Sequence, residues 1–171
     1  IDGHKGTFKV TISGVMAPSG IEKIQIPTWC SDNQSDIVWY TAIKEAEGIY
    51  SATMDVKKHS YHFGNYKMSV YATMGNGIFT GVCAGSQTIN PDNYLYSKYV
   101  SASQREVWLL GANAEQVQFP TWSETNGQDD IVWYSGVNRG NGTWSVTVDS
   151  NNHKHGGTYN THAYVTKNGV R

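Results

Sequence analysis

Asp36 and Asp130 each stand directly before an Ile-Val-Trp-Tyr run, residues 37–40 and 131–134, and a histidine follows each run, His59 and His153. A carboxylate beside an indole can accept sugar hydroxyls or hold an ammonium group, and an imidazole can line the same groove. The plainer alternative is an Asx turn at each aspartate that caps the strand entrance, with the histidines hydrogen-bonded in turns. Metal chemistry is disfavoured by spacing. His59-x-x-His62 becomes His153-x-His155 and no third ligand recurs, whereas a zinc site takes three or four protein ligands. Neither a metal nor another cofactor is expected. Catalysis also has little to stand on, because Gly-x-Ser-x-Gly, a phosphate loop and His-Glu-x-x-His are all missing. Glycoside hydrolysis needs two facing carboxylates, and the recurring acids are Asp36/Asp130, Asp55/Asp149 and Glu22/Glu115. The chemistry expected is binding rather than bond breaking.

The recurrence is wider than these residues. Residues 24–40 read IQIPTWCSDNQSDIVWY and residues 117–134 read VQFPTWSETNGQDDIVWY. Pro120 and Trp122 lie 93 positions after Pro27 and Trp29, Trp133 lies 94 after Trp39, and Tyr164 lies 93 after Tyr71. The single-residue slips fall in expected turns, where loops tolerate them. A period this long means duplicated domains rather than solenoid turns. The predicted layout is one domain at 1–88, a linker at 89–97 and a second domain at 98–171. Asn90-Pro91-Asp92-Asn93 is turn-forming. Tyr94-Leu95-Tyr96-Ser97-Lys98-Tyr99 is too aromatic for a flexible tether and is expected to pack on one domain or to form an early strand of the second.

Composition narrows the partners. The 171 residues carry a net charge of −1 with no run of Lys or Arg, so binding nucleic acid through phosphate neutralisation is not expected. No apolar stretch approaches the ~18 residues of a membrane span. The start at Ile1 without a signal peptide reads as a mature fragment of something longer. Cys30 and Cys83 both lie in the first copy, and Ser123 replaces Cys30 in the second; a disulfide and two free thiols remain open.

Short alternating runs such as Phe8–Ile12, Tyr50–Met54 and Trp144–Val148 recur every ~8–12 residues between Gly, Asn, Asp and Pro, the pattern of an all-β sandwich. The fold expected is two tandem immunoglobulin-like β-sandwiches of six or seven strands each. Asn76-Gly77 is expected to form a type I′ hairpin turn. Asn168-Gly169 should turn again into a last strand that this sequence does not contain, leaving an edge exposed. Strand parity places Ile37 with Trp39 and Val38 with Tyr40. By analogy with the central tryptophan of immunoglobulin-like domains, Trp39 and Trp133 are expected in the core. Tyr40 and Tyr134 then take the opposite, ligand-facing side. Ile24 and Ile26 alternate inward, so Trp29 and Trp122 fall on the other parity, either as exposed plates for sugar rings or as lids over the sandwich end. The candidate ligand-binding set is Trp29, Asp36, Tyr40, His59, Trp122, Asp130, Tyr134 and His153, with no catalytic residue.

The pattern Phe-Pro-Thr-Trp-Ser-Glu…Asn-Gly-Gln-Asp-Asp-Ile-Val-Trp-Tyr…His…Gly-x-Tyr-x-x-His-Ala-Tyr, from Phe119 to Tyr164, resembles the Bsp-like repeat of streptococcal and related Gram-positive secreted proteins. The first copy departs from it, with Cys30 for Ser, Gln34-Ser35 for Gly-Gln and Ser69 where the late histidine, His162, stands. If that histidine touches ligand, the first copy is expected to bind more weakly. The resemblance implies accessory modules of autolysins and other peptidoglycan hydrolases, secreted and cell-wall associated. It implies a non-catalytic, monomeric module whose partner is peptidoglycan or another wall polymer. The competing expectation is an adhesin or spacer that contacts host or sister proteins.

Overall fold

The computed structural model describes residues 1–171, which separate into two compact units, Ile1–Asn90 and Pro91–Arg171. Unit 1 contains β1 (Thr7–Ile12), β2 (Ile21–Trp29), β3 (Val38–Thr41), β4 (Ile43–Ala46), β5 (Ile49–Asp55), β6 (Gly64–Met74) and β7 (Phe79–Ile89). They form two antiparallel sheets, β1-β5-β4 and β3-β2-β6-β7. Unit 2 contains β8 (Tyr94–Tyr99), β9 (Gln104–Leu110), β10 (Gln116–Ser123), β11 (Val132–Ser135), β12 (Val137–Gly140), β13 (Thr143–Asp149), β14 (Tyr159–Thr161) and β15 (Tyr164–Thr166). Its sheets run β12-β13-β9-β8 and β11-β10-β14, with β15 also paired to β10. Each unit therefore follows the two-sheet strand order of an immunoglobulin-like sandwich.

The expected linker contracts to the turn around Asn90–Asn93. Tyr94–Tyr99 is strand β8, bound along β9 from Tyr94↔Leu110 to Tyr99↔Arg105. β7 has no counterpart in unit 2, and the long strand β6 is matched there by β14 and β15, interrupted at His162-Ala163. The Asn76-Gly77 hairpin forms, but Gly77 (φ 83°) alone of the pair is left-handed. The loop is closed by Met74 and Ile78, which is longer than the type I′ turn expected. That geometry appears instead at Asn168-Gly169, where φ is 51° and 72° and Lys167 and Val170 exchange both backbone bonds at 2.9 Å. Mirror-image turns of this kind match the twist of the flanking strands.

Alternation along β2 and β10 sets the cores. Ile24, Ile26 and Thr28 point inward and are sealed, as are Val117, Phe119 and Thr121. In unit 1 Phe8, Met54, Tyr66 and Val70 are sealed as well; in unit 2 Val117 and Phe119 pack with Val107, Leu109, Trp144 and Val148. Tyr66 and Tyr159 open β6 and β14, and their hydroxyls donate back to the carbonyls of His62 and His155. This is the tyrosine corner of immunoglobulin-like folds, and it explains why both tyrosines recur. Asp55 and Asp149 recur for another local reason. Each accepts the backbone N–H two residues on, at 2.9 Å, and so caps a short 3-10 turn, Val56–His59 or Ser150–Asn152.

The expectation that Trp39 and Trp133 form the core is corrected. They are 49% and 45% exposed, and the sealed partner on the same strand is Tyr40, at 6%. The parity was right and the facing was reversed. The core tryptophan of immunoglobulin domains sits on a central strand, whereas Trp39 sits on β3, at the edge of its sheet.

Candidate functional site

The residues singled out in the sequence divide into two groups. The first is internal. The Asp36 carboxylate accepts the Ser31 N–H at 2.9 Å and the Cys30 N–H at 3.2 Å, and so ties the 30–36 loop closed. His59 Nδ1 donates to the Asp36 carbonyl at 2.8 Å. A carbonyl can only accept, so Nδ1 carries the proton and Nε2 is the acceptor. Tyr40 Oη lies 2.8 Å from that Nε2 and donates to it, while taking the Asp55 N–H at 3.3 Å. Repeat 2 reproduces the brace. Asp130 accepts from the Ser123 N–H at 3.0 Å, His153 Nδ1 lies 3.1 Å from the Asp130 carbonyl, and His153 Nε2 lies 3.0 Å from Tyr134 Oη.

Burial fixes the electrostatics of the brace. Burial pushes the Asp36 carboxyl up, but the Ser31 and Cys30 N–H bonds and His62 outweigh it, and its pKa lies below the ordinary carboxylate value. Asp130 follows the same balance, with the Ser123 N–H as the leading opposing contact. Burial holds the His59 imidazole below its ordinary value, so it stays neutral. The Cys30 thiol is pushed up by burial and then by the Asp36 charge.

The ligand-facing expectation for this group is therefore corrected. His59 is fully sealed, and the side chains of Asp36, Asp130 and His153 are 4%, 1% and 0% exposed. Tyr40 is sealed and Tyr134 half-buried, their hydroxyls committed to the histidines. A buried imidazole needs a partner for each nitrogen, and a tyrosine at the inward position supplies one where tryptophan could not act as acceptor for the Asp55 N–H. Tyr40 also lines a groove of about 410 Å³, with Trp39, Lys58 and Glu45. Cys30 and Cys83 are free thiols, half-buried and exposed.

The second group faces outward on the sheet that carries β2 or β10. Opposite the sealed Ile24, Ile26 and Thr28 stand Gln25, Pro27 and Trp29, and opposite Val117, Phe119 and Thr121 stand Gln118, Pro120 and Trp122; the glutamines and indoles are half-buried and both prolines are buried. Register adds the neighbours. Pro27 pairs with Trp39 and Gln25 with Tyr71, while Pro120 pairs with Trp133 and Gln118 with Tyr164. The Trp39 and Tyr71 rings lie 5.6 Å apart, and the Trp133 and Tyr164 rings 5.5 Å. Four outward positions, Gln, Trp, Trp and Tyr, are thus identical in the two repeats around a shared buried proline.

The rims differ. In repeat 1, Phe79 stacks on Tyr71 at 5.1 Å and extends the aromatic row. In repeat 2, the Arg171 guanidinium covers Trp133 and Tyr164 at 4.4 and 4.5 Å, and His162 meets Trp122 edge-on at 4.9 Å. Trp29 and Trp122 are half-buried members of this face. Trp39, Trp133, Tyr71 and Tyr164 belong to it and were not among the candidates. The signal that would have found them is recurrence at the parity opposite Ile24 and Ile26.

This is a pair of tandem all-β sandwich repeats whose shared residues serve either an internal brace or an outward aromatic face. The chain belongs to the GBS Bsp-like repeat family, whose model matches residues 1–87 and 90–170, so the resemblance of the motif holds over both copies. Among solved structures it is similar to the "Crystal structure of tetra-tandem repeat in extending region of large adhesion protein", at 18% identity and a TM-score of 0.38, covering 96% of this chain and 46% of that one. The chain thus spans about half of that structure. The comparison with curated proteins gives no match.

Proposed function

We propose that the two repeats are non-catalytic modules that hold a bacterial cell-wall polymer, peptidoglycan foremost, and that they target an attached autolysin or other peptidoglycan hydrolase to the wall. The observation that carries this reading is the outward set Gln25, Trp29, Trp39 and Tyr71, repeated as Gln118, Trp122, Trp133 and Tyr164 around the buried Pro27 and Pro120. Folding needs the inward residues of a strand; identical outward ones in two copies call for another cause. An exposed aromatic cluster marks a contact surface. Flat indole and phenol rings suit the apolar faces of sugars, and the glutamine amide beside each tyrosine can bond a hydroxyl or an acetamido group. Net charge near zero fits a largely uncharged polymer better than a polyanion. Linking two weak sites raises avidity ~10²–10⁴-fold on a repetitive target. No helix is long and apolar enough to cross a membrane. The proposed setting is extracellular, on the wall, as a monomer.

Co-sedimentation with purified sacculi, with and without their secondary polymers, tests the reading. The protein should sediment with walls, and a Trp39→Ala/Trp133→Ala variant should remain in solution. A wild-type chain that never sediments removes the proposal; a variant that sediments like wild type removes the role of the face. Wall-lysis zymography should stay blank.

A second reading, adhesin or spacer, draws on β7. It ends its sheet, and although its pairing slips by one residue at Val82, Thr80–Ile89 contains neither a charge nor a proline, two of the features that guard an edge strand. Such an edge can take up a strand from another protein. Concentration-dependent self-association without wall binding would favour it.

A further inference from the structure

The two repeats differ at one interior corner, and there repeat 2 holds a cavity. In repeat 1, Phe8 pairs with Met54 and packs on Tyr66 with ring centres 5.4 Å apart; Met68, the partner of Thr28, fills the same corner, and all four side chains are buried. In repeat 2 the register-equivalent residues are Arg105 paired with Val148, Tyr159, and Thr161 paired with Thr121. Phenylalanine and two methionines have become arginine, valine and threonine. A cavity of about 370 Å³ lies among them, within the size range of small-molecule sites.

Its composition is specific. Val107, Val148 and Thr121 are sealed and line its depth, while Arg105 is exposed at the rim. Thr121 and Thr161 share a hydroxyl hydrogen bond of 2.9 Å and the Thr121 hydroxyl also donates to the Phe119 carbonyl at 3.4 Å, which leaves the pair lone pairs to accept a donor of the ligand. Arg105 is the only charged residue of the lining. Its Nη1 donates to the Ser101 and Gln104 carbonyls at 2.9 and 3.0 Å, and its guanidinium lies 4.5 Å from the centre of the Tyr99 ring. These contacts orient the fork without neutralising it. The neighbouring Asp149 carboxylate is taken up by the Gln104 side chain and the Asn151 N–H, each at 2.9 Å.

We propose that this cavity binds a small carboxylate-bearing ligand. Resting on the wall-binding reading, its occupant is the C-terminal carboxylate of a short wall peptide that ends in small residues. A guanidinium with free donors recognises a carboxylate bidentately. The valine floor suits methyl side chains, and the threonine pair can bond a peptide group. A sugar carboxylate shares the charge but would set ring hydroxyls against the two valines.

The test is a titration of the 171-residue protein with N-acetyl-D-alanyl-D-alanine, its C-terminal amide and N-acetylmuramic acid, followed through methyl resonances. The acid should move the Val107 and Val148 methyls, with the amide ~10-fold weaker or more and N-acetylmuramic acid without effect there. Arg105→Gln should weaken the acid ~10-fold. Arg105→Phe/Val148→Met/Thr161→Met, which rebuilds the packing of repeat 1, should abolish the shifts while keeping a cooperative melt. Equal binding of acid and amide, or methyls that never move, overturns the site. Shifts caused by N-acetylmuramic acid instead overturn the peptide assignment. The triple variant should still sediment with sacculi through the aromatic face, so failure of the cavity and failure of wall binding are told apart.

Discussion

Removing one oxygen from Tyr40 should cost repeat 1 more than shrinking the neighbouring indole of Trp39. Tyr40→Phe takes the donor from His59 Nε2, 2.8 Å away, and the acceptor from the Asp55 N–H, 3.3 Å away. His59 is fully sealed, so water cannot replace the lost partner. A buried polar group left without a partner costs about 1–3 kcal/mol. The second bond is long and contributes less, and the phenylalanine no longer buries a hydroxyl, so the net loss is about 2 kcal/mol. At ~4–8 °C per kcal/mol for a domain of this size, the melting transition of repeat 1 should fall by roughly 8–16 °C. Trp39→Phe keeps a ring beside Tyr71 at a position 49% exposed, and should cost less than about 1 kcal/mol. Both variants end in phenylalanine, so the comparison is matched, and the untouched second repeat is an internal reference in the same thermal scan. A Trp39→Phe loss equal to or larger than that of Tyr40→Phe would refute the reasoning and return the indole to the core.

Three further outcomes follow from the same geometry. Acid should destabilise repeat 1 in two steps. The unfolded chain protonates His59 near its ordinary pKa of about 6.5, while burial holds the folded value lower, so stability drops as pH falls below ~6.5. The stability that Asp36 confers is present above about 3.8 and is lost as pH falls through its depressed folded value. Urea midpoints across pH should trace both steps, and His59→Gln should flatten the first. Gly111 has φ 74°, and a Cβ there would collide with the Pro91 carbonyl, so Gly111→Ala should cost about 2 kcal/mol or more. Gly127, at φ 69° but with open space around it, should lose only about 1 kcal/mol as alanine; equal melts for the two contradict the packing. Cys83 is exposed, whereas Cys30 is half-buried with its thiol raised by burial. A thiol reagent near pH 8 should therefore react in one fast and one slow phase. Two equal fast phases would show that the 30–36 loop is open.

Much of the layout could be read from the chain because duplication doubles every signal. Pro27/Pro120 and Trp29/Trp122 aligned the copies, and the Ile24/Ile26 alternation gave the inward face of β2 correctly. What failed was deciding which face of an edge strand is the inside. Hydrophobicity ranks tryptophan above tyrosine, yet the inner position on β3 faces His59, which rewards a hydroxyl; that partner lies 19 positions away and its role is invisible until the sheets are stacked. Asp36 looked like a ligand because carboxylates beside aromatics often are. Its oxygens are consumed by the Cys30 and Ser31 N–H groups, the local bonding that makes aspartate common in turns. Tyr94–Tyr99 could be read as ordered but not as a strand of a particular sheet, since its partner β9 is fixed by tertiary register. The cavity at Arg105 was out of reach for a similar reason. Phe8 and Arg105 correspond only through their pairing with Met54 and Val148, and no motif marks either one.

The most direct test of the account is a binding isotherm on purified sacculi for a Trp29→Ala/Trp39→Ala/Trp122→Ala/Trp133→Ala variant whose far-ultraviolet dichroism and cooperative melt remain those of two folded repeats. Loss of wall binding by ~10²-fold or more, as expected when both linked sites fail, is the predicted result. An isotherm that overlays the wild-type curve would mean that the repeated outward aromatics hold nothing, and would contradict the account.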